Sequence, residues 1–599
     1  MSHPHAALPA NRSDRAPLWV PLVVLAIALL VRILYRQQAG HVLLFNEFTG
    51  DSAQYLELAG RLKNEGLMAP KGEAWFQAPF YPFFLFLAGA SPTHLELARW
   101  LQFAAGATGA LLAWDTARRL AGSTAGLMAG LIAAVYGPRV FFDGEMLSIG
   151  WSLFFLQLMA WLLVLRHESR DRPPSPALDL PLGVTGGLAA LAQPNTLVAS
   201  VGVIGWLFVA GRRTPHARRG AILTALGVLL VILPVTLRNK AESRDWVLIS
   251  ANGGINFFIG NNPEADGTFH LPPREPLLND PSGLVTASRE AAARALGHPA
   301  SPSATSGYWM NRGLAWWGSA PLDAVSLTAR KVLYLLNNIE IPNHYDFAWF
   351  TQRVPILRLL PGFWLLLPLA AWGLARIGRE PIGRLFALLL GALLLSVAFF
   401  FVTDRYRLPI VAFLFPVAGI GAADLWSIAR GERPGARLPA ILVVSAFLLL
   451  AAFPLVDTRP SMAHMHNLVG TLHYKRGEAS AARREFEAAL AISPNLAEPA
   501  NNLGRLALND RDDAGAERWF RKALELDPRR AEAWFNLEEL ERSRRRYREA
   551  LALIDGMERQ VPGVTESFGG ALAYRRGLSF QALGDTARAG ASLREAIRL

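Results

Sequence analysis

The first 460 residues of the chain alternate long apolar runs with short polar segments. Most of these runs contain about 17 to 22 residues, the length that a helix needs to cross the hydrocarbon core of a bilayer. Pro194 and Asn195 split one longer run into two short spans, because proline interrupts a helix. The predicted spans cover roughly residues 18–36, 96–117, 122–138, 147–166, two halves of 180–211, 221–237, 355–375, 384–403, 408–428 and 438–456. The pattern therefore predicts a polytopic, all-α transmembrane bundle of about eleven spans.

A second pattern, with a period of 34 residues, occupies the rest of the chain. Gly470, Phe486, Leu490 and Pro494 recur as Gly504, Phe520, Leu524 and Pro528, and Ala482, Ala516 and Ala550 keep the same spacing. This period is typical of an α-solenoid of helical hairpins, and the segment resembles tetratricopeptide repeats. The sequence thus predicts two domains, a membrane domain over residues 1–460 and a repeat domain over residues 461–599. The concave face of the repeats is expected to bind a protein partner.

The charge of the chain follows the membrane pattern. Hydrophobic residues make up 52% of the chain, and 60 Lys and Arg against 48 Asp and Glu give a net charge of +12. Arginines such as Arg118, Arg119 and Arg376 cluster where apolar runs end, which is a topology signal and not a nucleic-acid-binding patch. The chain has no cysteine, so disulfides, thiol nucleophiles and cysteine metal sites are excluded.

The arginine clusters also predict the orientation of the chain. They fall on the cytoplasmic side when the N-terminus is cytoplasmic and the number of crossings is odd. The loops 37–95, 139–146 and 238–354 and the repeat domain then lie on the extracytoplasmic face of the membrane. The chemistry of the protein is therefore expected on that face.

Two pairs of carboxylates lie in the predicted outer loops. Glu47 and Asp51 follow the first span, with Tyr55 one helical turn after Asp51, and Asp143 and Glu145 occupy the next outer loop. A positioned carboxylate at the membrane surface can act as a general base. Asp51 could equally cap a short interfacial helix, and the second pair could simply be hydrated.

Amide side chains form a third group of candidate site residues, between positions 249 and 267. Asn252, Asn256, Asn261 and Asn262 are interspersed with glycines there. Amide side chains and exposed glycine backbone suit a hydroxyl-rich or phosphate ligand, because both supply directional hydrogen bonds without a fixed shape. The alternative is a series of Gly/Asn turns in a loop.

Two arginines lie where positive charge is disfavoured. Arg405 and Arg407 fall at the outer end of a predicted span. A guanidinium binds phosphate in a two-pronged fashion, so a lipid phosphate at the membrane surface is the predicted partner. Snorkelling to the interface or pairing with Asp404 is the structural alternative.

The order of these features resembles the GT-C superfamily of membrane glycosyltransferases, especially the branch of protein O-mannosyltransferases and bacterial aminoarabinose transferases. The resemblance covers roughly the first 430 residues. It rests on short motifs at residues 51–55, 78–82, 117–120, 143–145, 189–194, 249–262 and 405–409. The family commonly has two adjacent acidic residues in the first loop, whereas Ser52 follows Asp51 here.

The resemblance implies an enzyme that transfers a sugar from a polyprenyl-phosphate carrier, and this carrier is embedded among the membrane lipids. It implies that Asp51 acts as general base or orients the acceptor, with Glu47, Asp143 and Glu145 as competing candidates. Arg405 and Arg407 would bind the donor phosphate, and Tyr55 and the asparagines would bind substrate. No cofactor is certain, and the metal is unknown, although a divalent metal is possible. The alternative is a non-catalytic scaffold or a transporter whose repeats serve envelope assembly.

The predicted orientation can be tested with reporter fusions. Alkaline phosphatase fused after Leu599 should be active, because this reporter works only outside the cytoplasm. A fusion after Arg379, between two predicted spans on the cytoplasmic side, should be inactive. An inactive fusion after Leu599, together with a bright fluorescent reporter at the same position, would change the number of crossings by one.

Overall fold

The computed structural model describes residues 17, 19–169, 176–210, 215–272, 283–343, 345–561 and 563–598. Residues 273–282 and 344 of the predicted outer loop 238–354 therefore lie outside the described part. The chain divides into two compact units, with the boundary between Val456 and Asp457. All regular structure in the described residues is helical and none of it is a strand, which confirms the predicted all-α fold.

The first unit begins with eight helices. They are α1 (Trp19–Ala39), α2 (Leu43–Asn46), α3 (Asp51–Glu65), α4 (Phe80–Leu87), α5 (Glu96–Ala121), α6 (Ser123–Val135), α7 (Gly137–Gly144) and α8 (Ile149–Glu168). The first predicted outer loop thus contains three short helices, α2 to α4. Helix α4 is apolar and only 8 residues long, too short to cross a bilayer.

Thirteen further helices complete the described part of this unit. They are α9 (Pro176–Ala192), α10 (Leu197–Ala210), α11 (Pro215–Ser243), α12 (Gly253–Gly260), α13 (Leu284–Leu296), α14 (Pro302–Ser319), α15 (Pro321–Leu335), α16 (Phe347–Arg353), α17 (Pro355–Leu359), α18 (Phe363–Ile377), α19 (Pro381–Ala398), α20 (Asp404–Ala429) and α21 (Arg437–Ala452). A single 3₁₀ turn, Pro194–Thr196, separates α9 from α10, as the Pro-Asn break predicts.

Seven helical segments among the described residues are long and apolar enough to cross a membrane. They correspond to α1, α8, α11, α17 with α18, α19, α20 and α21 with the turn before it. An eighth would be α6 with α7, which are bent by 50° at Tyr136. Helices α9 and α10 are apolar but shorter, and α5 is long but less apolar. A multi-pass membrane protein is confirmed, while the number of eleven crossings stays a prediction.

Residues 139–146 do not form the irregular loop that the sequence predicted. Its residues up to Gly144 belong to helix α7, all of which is buried. A buried ion pair holds helix α7 in the interior. Arg32 of α1 donates from Nη2 to the Asp143 carboxylate at 2.7 Å. Arg139 lies 3.4 Å from the same carboxylate. A buried carboxylate is tolerated when arginines neutralise it, and short loop sequences give no sign of such partners.

Small residues allow the apolar helices to approach closely. A Cβ on Gly183 of α9 would overlap the backbone carbonyl of Thr224 in α11, and one on Gly421 of α20 would overlap that of Leu369 in α18. Hydrocarbon gives little hydrophobic force between helices, so backbone contact of this kind stabilises a membrane bundle. Helix α20 is the most buried of the candidate spans, and α21 is the most exposed.

The described residues of the second unit form four helical hairpins. Its helices are α22 (Arg459–Lys475), α23 (Ala479–Ile492), α24 (Ala497–Asn509), α25 (Asp513–Leu526), α26 (Ala531–Ser543), α27 (Tyr547–Gln560), α28 (Val564–Ala582) and α29 (Thr586–Arg598). This agrees with the predicted α-solenoid.

Packing within and between successive hairpins explains the repeated sequence columns. The Phe486 ring lies where a Cβ on Gly470 would be only 2.6 Å away, and Phe520 stands in the same relation to Gly504. The bond from Asn502 to Asn467, at 3.0 Å, recurs as the bond from Asn536 to Asn501, at 2.9 Å. The period of 34 residues therefore repeats contacts, not only residue types.

Candidate active site

The first unit contains a cavity of about 350 Å³. Asp51 and Arg405 are the only charged side chains among the described residues that line it. Aromatic rings, among them Phe76, Phe400 and Phe401, supply much of its apolar wall. Seven amide side chains also line it: Gln54, Gln77, Gln193, Asn195, Asn252, Asn256 and Asn343. The cavity is therefore mostly neutral and rich in hydrogen-bonding groups, with a single ion pair.

That ion pair joins the start of α3 to the start of α20. Arg405 donates from Nη1 to Oδ2 of Asp51, and Oδ1 of Asp51 accepts a bond from Gln77 Nε2 at 2.9 Å. Asp51 is the first residue of α3, where the positive end of the helix dipole favours a carboxylate. The cap of this helix is Gly50, whose positive φ of 55° suits glycine. Asp51 therefore does not occupy the N-cap position itself.

Arg405 keeps hydrogen-bonding capacity beyond Asp51. Its Nη2 lies 3.5 Å from the Tyr406 hydroxyl, and its Nε has no protein partner among the described residues. A guanidinium offers five N–H donors in one plane, so Arg405 can hold a carboxylate and an anionic ligand together. Arg405 thus lines the cavity and has a buried Nε–H group without a partner among the described residues.

Tyr55 lies beside this pair, one turn along α3 from Asp51. The two residues share a helix face because they are four positions apart. Burial, and then the charge of Asp51, raise the pKa of the Tyr55 phenol far above its ordinary value. Tyr55 therefore stays protonated at physiological pH, and its hydroxyl is a neutral group of the cavity.

The four predicted asparagines separate into two pairs. Asn252 and Asn256 line the cavity, and their binding of substrate stays a prediction. Asn261 instead donates to the carbonyls of Phe257 and Phe399, at 2.8 and 2.7 Å, and Asn262 donates to Phe258 at 2.9 Å. Asn261 and Asn262 are fully buried outside the cavity lining. Their predicted role in substrate binding is replaced by a structural one at the end of α12.

Arg407 also lies outside the cavity. Its guanidinium pairs with Glu340 and donates to the carbonyl of Asn337, and it lies over the Phe363 ring. Arg405 and Arg407 are two positions apart, so they point about 200° apart around helix α20. Only Arg405 can therefore face the cavity, and the prediction that both arginines bind one phosphate does not fit the structure.

The competing carboxylates are not part of the cavity lining either. Asp143 is held by Arg32, and Glu145 is buried within 3.4 Å of the Tyr35 hydroxyl. Burial raises the pKa of Glu145 to about 8. Glu47 ends the short helix α2, and its backbone carbonyl accepts a bond from the Tyr345 hydroxyl at 3.4 Å. Of the four predicted carboxylates, the structure brings only Asp51 to the cavity.

The described residues form no cluster of carboxylates for a divalent metal at this cavity. No group of three or more His, Asp or Glu side chains in the described chain is placed to hold a metal ion. The cavity itself offers one carboxylate, and Arg405 already pairs with it. A hard cation such as Mg²⁺ prefers several oxygen ligands, and the positive guanidinium opposes its binding.

Several lining residues were missed in the sequence. Gln54 is three positions after Asp51 on the same face of α3, and Gln77 immediately precedes the motif at residues 78–82. Gln193 and Asn195 flank the proline between α9 and α10. Helical spacing could have identified Gln54. The others depend on which loops meet, and local sequence carries no sign of that.

Comparison with known families agrees with the proposed resemblance. Residues 74–237 match the family described as dolichyl-phosphate-mannose-protein mannosyltransferase, and residues 497–530 match the tetratricopeptide repeat. No curated protein matches the chain. The family match includes α4 to α10 and contains the cavity residues Gln77, Gln193 and Asn195. The chain therefore contains a region similar to this GT-C mannosyltransferase family over residues 74–237, followed by a tetratricopeptide repeat match.

Solved structures show a more distant likeness. The oligosaccharyltransferase AglB from Archaeoglobus fulgidus, in complex with an inhibitory peptide and a dolichol-phosphate, is 13% identical with a TM-score of 0.39. The apo form of the Archaeoglobus fulgidus oligosaccharyltransferase is 12% identical with a TM-score of 0.41. Each match covers 73% of this chain and 55% of the other. This chain therefore spans about half the length of those proteins, and the likeness assigns no role to any residue here.

The Arg407 pair gives a stability prediction. Arg407→Met leaves the buried Glu340 carboxylate without its partner, and breaking a buried pair in this way typically costs about 3 to 5 kcal/mol. We expect a clearly lower unfolding temperature for the purified protein in detergent. The double variant Arg407→Met/Glu340→Met should regain much of the loss, because no unpaired charge remains. A single Arg407→Met variant with wild-type stability and lost turnover would instead return Arg407 to phosphate binding.

Proposed function

We propose that this chain, which joins a GT-C glycosyltransferase region to tetratricopeptide repeats, transfers a sugar from a polyprenyl-phosphate donor to an acceptor outside the cytoplasm. The observation that supports this proposal most is that Asp51 and Arg405 line one cavity. There Asp51 can accept a proton and Arg405 can bind a phosphate. The match over residues 74–237 favours this enzyme over a non-catalytic scaffold or a transporter.

The reaction is a single displacement with inversion. The acceptor oxygen or nitrogen attacks the anomeric carbon of the sugar and forms the new glycosidic bond. The bond from that carbon to the phosphate oxygen breaks, and its electron pair leaves with the lipid phosphate. The acceptor proton passes to the Asp51 carboxylate, which is the only carboxylate in the described cavity lining. Atoms and charge balance without a further reactant.

Arg405 stabilises the leaving phosphate in this mechanism. Negative charge grows on the phosphate oxygen as the bond breaks, and a fixed guanidinium in a shielded site lowers the energy of that transition state. The spare Nε donor of Arg405 and its edge toward Tyr406 are the groups available to the phosphate. The phosphate then shares the guanidinium of Arg405 with the Asp51 carboxylate.

The apolar part of the cavity suits a donor that arrives from the bilayer. Phe76, Phe400 and Phe401 line the cavity together with aliphatic residues such as Leu147 and Val397. These surfaces can contact the first isoprene units of a carrier while the phosphate reaches Arg405. A donor held by its lipid needs no nucleotide-binding loop.

The acceptor and the location are further parts of the proposal. The reaction takes place on the extracytoplasmic face of a bacterial inner membrane, in line with the arginine pattern. The tetratricopeptide repeats bind a protein partner there. That partner is either the acceptor or a protein that presents the acceptor to the cavity.

A lipid analysis tests the donor class. The protein purified in mild detergent should carry a polyprenyl phosphate, free or sugar-linked, which native mass spectrometry would identify by its mass series. The variant Arg405→Gln should lose this lipid, whereas Arg353→Gln, on helix α16 outside the cavity lining, should keep it. Equal amounts of lipid in all three proteins would contradict phosphate binding by Arg405.

The role of Asp51 gives a prediction on activity. Asp51→Asn keeps the size of the side chain and a hydrogen-bond acceptor for Arg405, but it cannot take up a proton. Loss of a general base typically lowers the rate about 100-fold to 10,000-fold, so this variant should be folded and nearly inactive. The measurement is sugar transfer from radiolabelled polyprenyl-phosphate sugars in membranes matched for protein level.

Two comparison variants make this experiment specific. Glu47→Gln and Glu145→Gln remove the competing carboxylates, which lie outside the cavity lining, and should keep most of the activity. An active Asp51→Asn beside an inactive Glu145→Gln would move the base to Glu145. Full activity in all three variants would contradict the mechanism.

A further inference from the structure

Gln193 occupies a fixed position at the break between α9 and α10. Its backbone N–H donates to the Ala189 carbonyl at 2.8 Å, which ends α9. Its own carbonyl accepts bonds from the backbone N–H and the hydroxyl of Thr196, at 3.0 and 2.8 Å. The following Pro194 restricts the chain further. The Gln193 side chain is therefore anchored at its base by a rigid turn at the cavity wall.

The amide of Gln193 has no protein partner among the described residues. The residue is only 6% exposed, yet neither its oxygen nor its nitrogen makes a hydrogen bond to the protein. The buried Oδ1 atoms of Asn195 and Asn343, which line the same cavity, also have none. Buried amides nearly always have partners, because an unpaired one loses its hydration without compensation. The fold thus leaves these buried amide atoms without a protein partner at residues that line the cavity.

The charges of the cavity define which ligand these amides fit. Asp51 and Arg405 are its only charged side chains in the described lining, and the mechanism assigns them to the acceptor proton and the phosphate. The other side chains of the described lining, which remain for the sugar of the donor, are neutral. An amide both donates and accepts, as does a hydroxyl group, so amides and hydroxyls pair without leaving an atom unsatisfied. An ammonium or carboxylate on the sugar would find no opposite charge there.

We propose that Gln193 and Asn195 form the subsite that binds hydroxyl groups of the transferred sugar and selects an uncharged sugar. This inference rests on the proposed function, because it assigns the sugar end of the same donor. Gln193 supplies a donor and an acceptor, and Asn195 supplies a second acceptor. The two residues flank Pro194, so the 3₁₀ turn Pro194–Thr196 sets their spacing. They are specificity-determining residues and take no part in proton transfer.

A binding experiment on purified protein separates this subsite from the phosphate site. The probes are decaprenyl phosphate without sugar and decaprenyl phosphate carrying mannose, glucose, galactose or 4-amino-4-deoxyarabinose. Wild type should bind at least one of the three hexose lipids more tightly than the bare lipid, and the amino sugar lipid no more tightly. Gln193→Met should reduce this preference roughly ten-fold, because two hydrogen bonds to the sugar are lost. Its affinity for bare decaprenyl phosphate should not change. Asn195→Ala should act in the same direction.

Thermal stability without ligand provides the second measurement. Gln193→Met should keep or raise the unfolding temperature, because it replaces a buried unpaired amide with an apolar side chain of similar size. The matched control is Gln37→Met, the same exchange at an exposed position on α1, which should alter neither binding nor stability. A lower unfolding temperature for Gln193→Met would assign Gln193 a structural role and overturn the proposal.

The outcomes also distinguish this proposal from the proposed function. If wild type binds neither the bare lipid nor any sugar lipid, the donor class itself is wrong. If wild type binds all the lipids equally, or binds the amino sugar lipid most tightly, only the sugar subsite is wrong. If Gln193→Met and Asn195→Ala keep the full preference of wild type, the preference arises elsewhere in the cavity and the subsite is again wrong.

Discussion

The ion pair between Asp51 and Arg405 is the interaction on which the cavity depends. It joins two helix starts that are 354 residues apart in the chain, and both side chains are largely buried, at 18% and 12% exposure. A pair of charges withdrawn from water is stable only when further hydrogen bonds support it. Gln77 provides that support to Asp51, and Gln77 in turn donates to Gln54 at 2.7 Å. The pair therefore fixes the first loop region against the most buried candidate span.

The bundle around the cavity combines two kinds of contact. Glycines let α9 approach α11 and let α18 approach α20 at backbone distance, which suits an environment without a hydrophobic driving force between helices. Buried ion pairs then join neighbouring segments. Arg32 pairs with Asp143 at 2.7 Å, and Arg166 pairs with Asp179 at 2.8 Å. Within this frame, the amide of Gln193 is buried at the cavity wall without a partner among the described residues.

Part of the site could be predicted because it is local. Asp51 and Tyr55 are one turn apart, so helical spacing alone places them on one face. The same reasoning distinguishes Arg405 from Arg407, since residues two apart cannot share a face of a helix. It does not say which of the two faces the cavity. Glu340 decides that by pairing with Arg407 from a distant part of the chain.

The sequence by itself determined the classes of structure in this protein. Apolar run length defined a helical membrane region, and a period of 34 residues defined the repeats, because both depend on short-range geometry. Only the tertiary structure decided which polar residues meet. It buried Asp143 and Glu145, assigned Asn261 and Asn262 to helix ends, and brought Gln193 to the cavity. The physical reason is that the cost of burying a polar group depends on its partners, and those partners are far away in the chain.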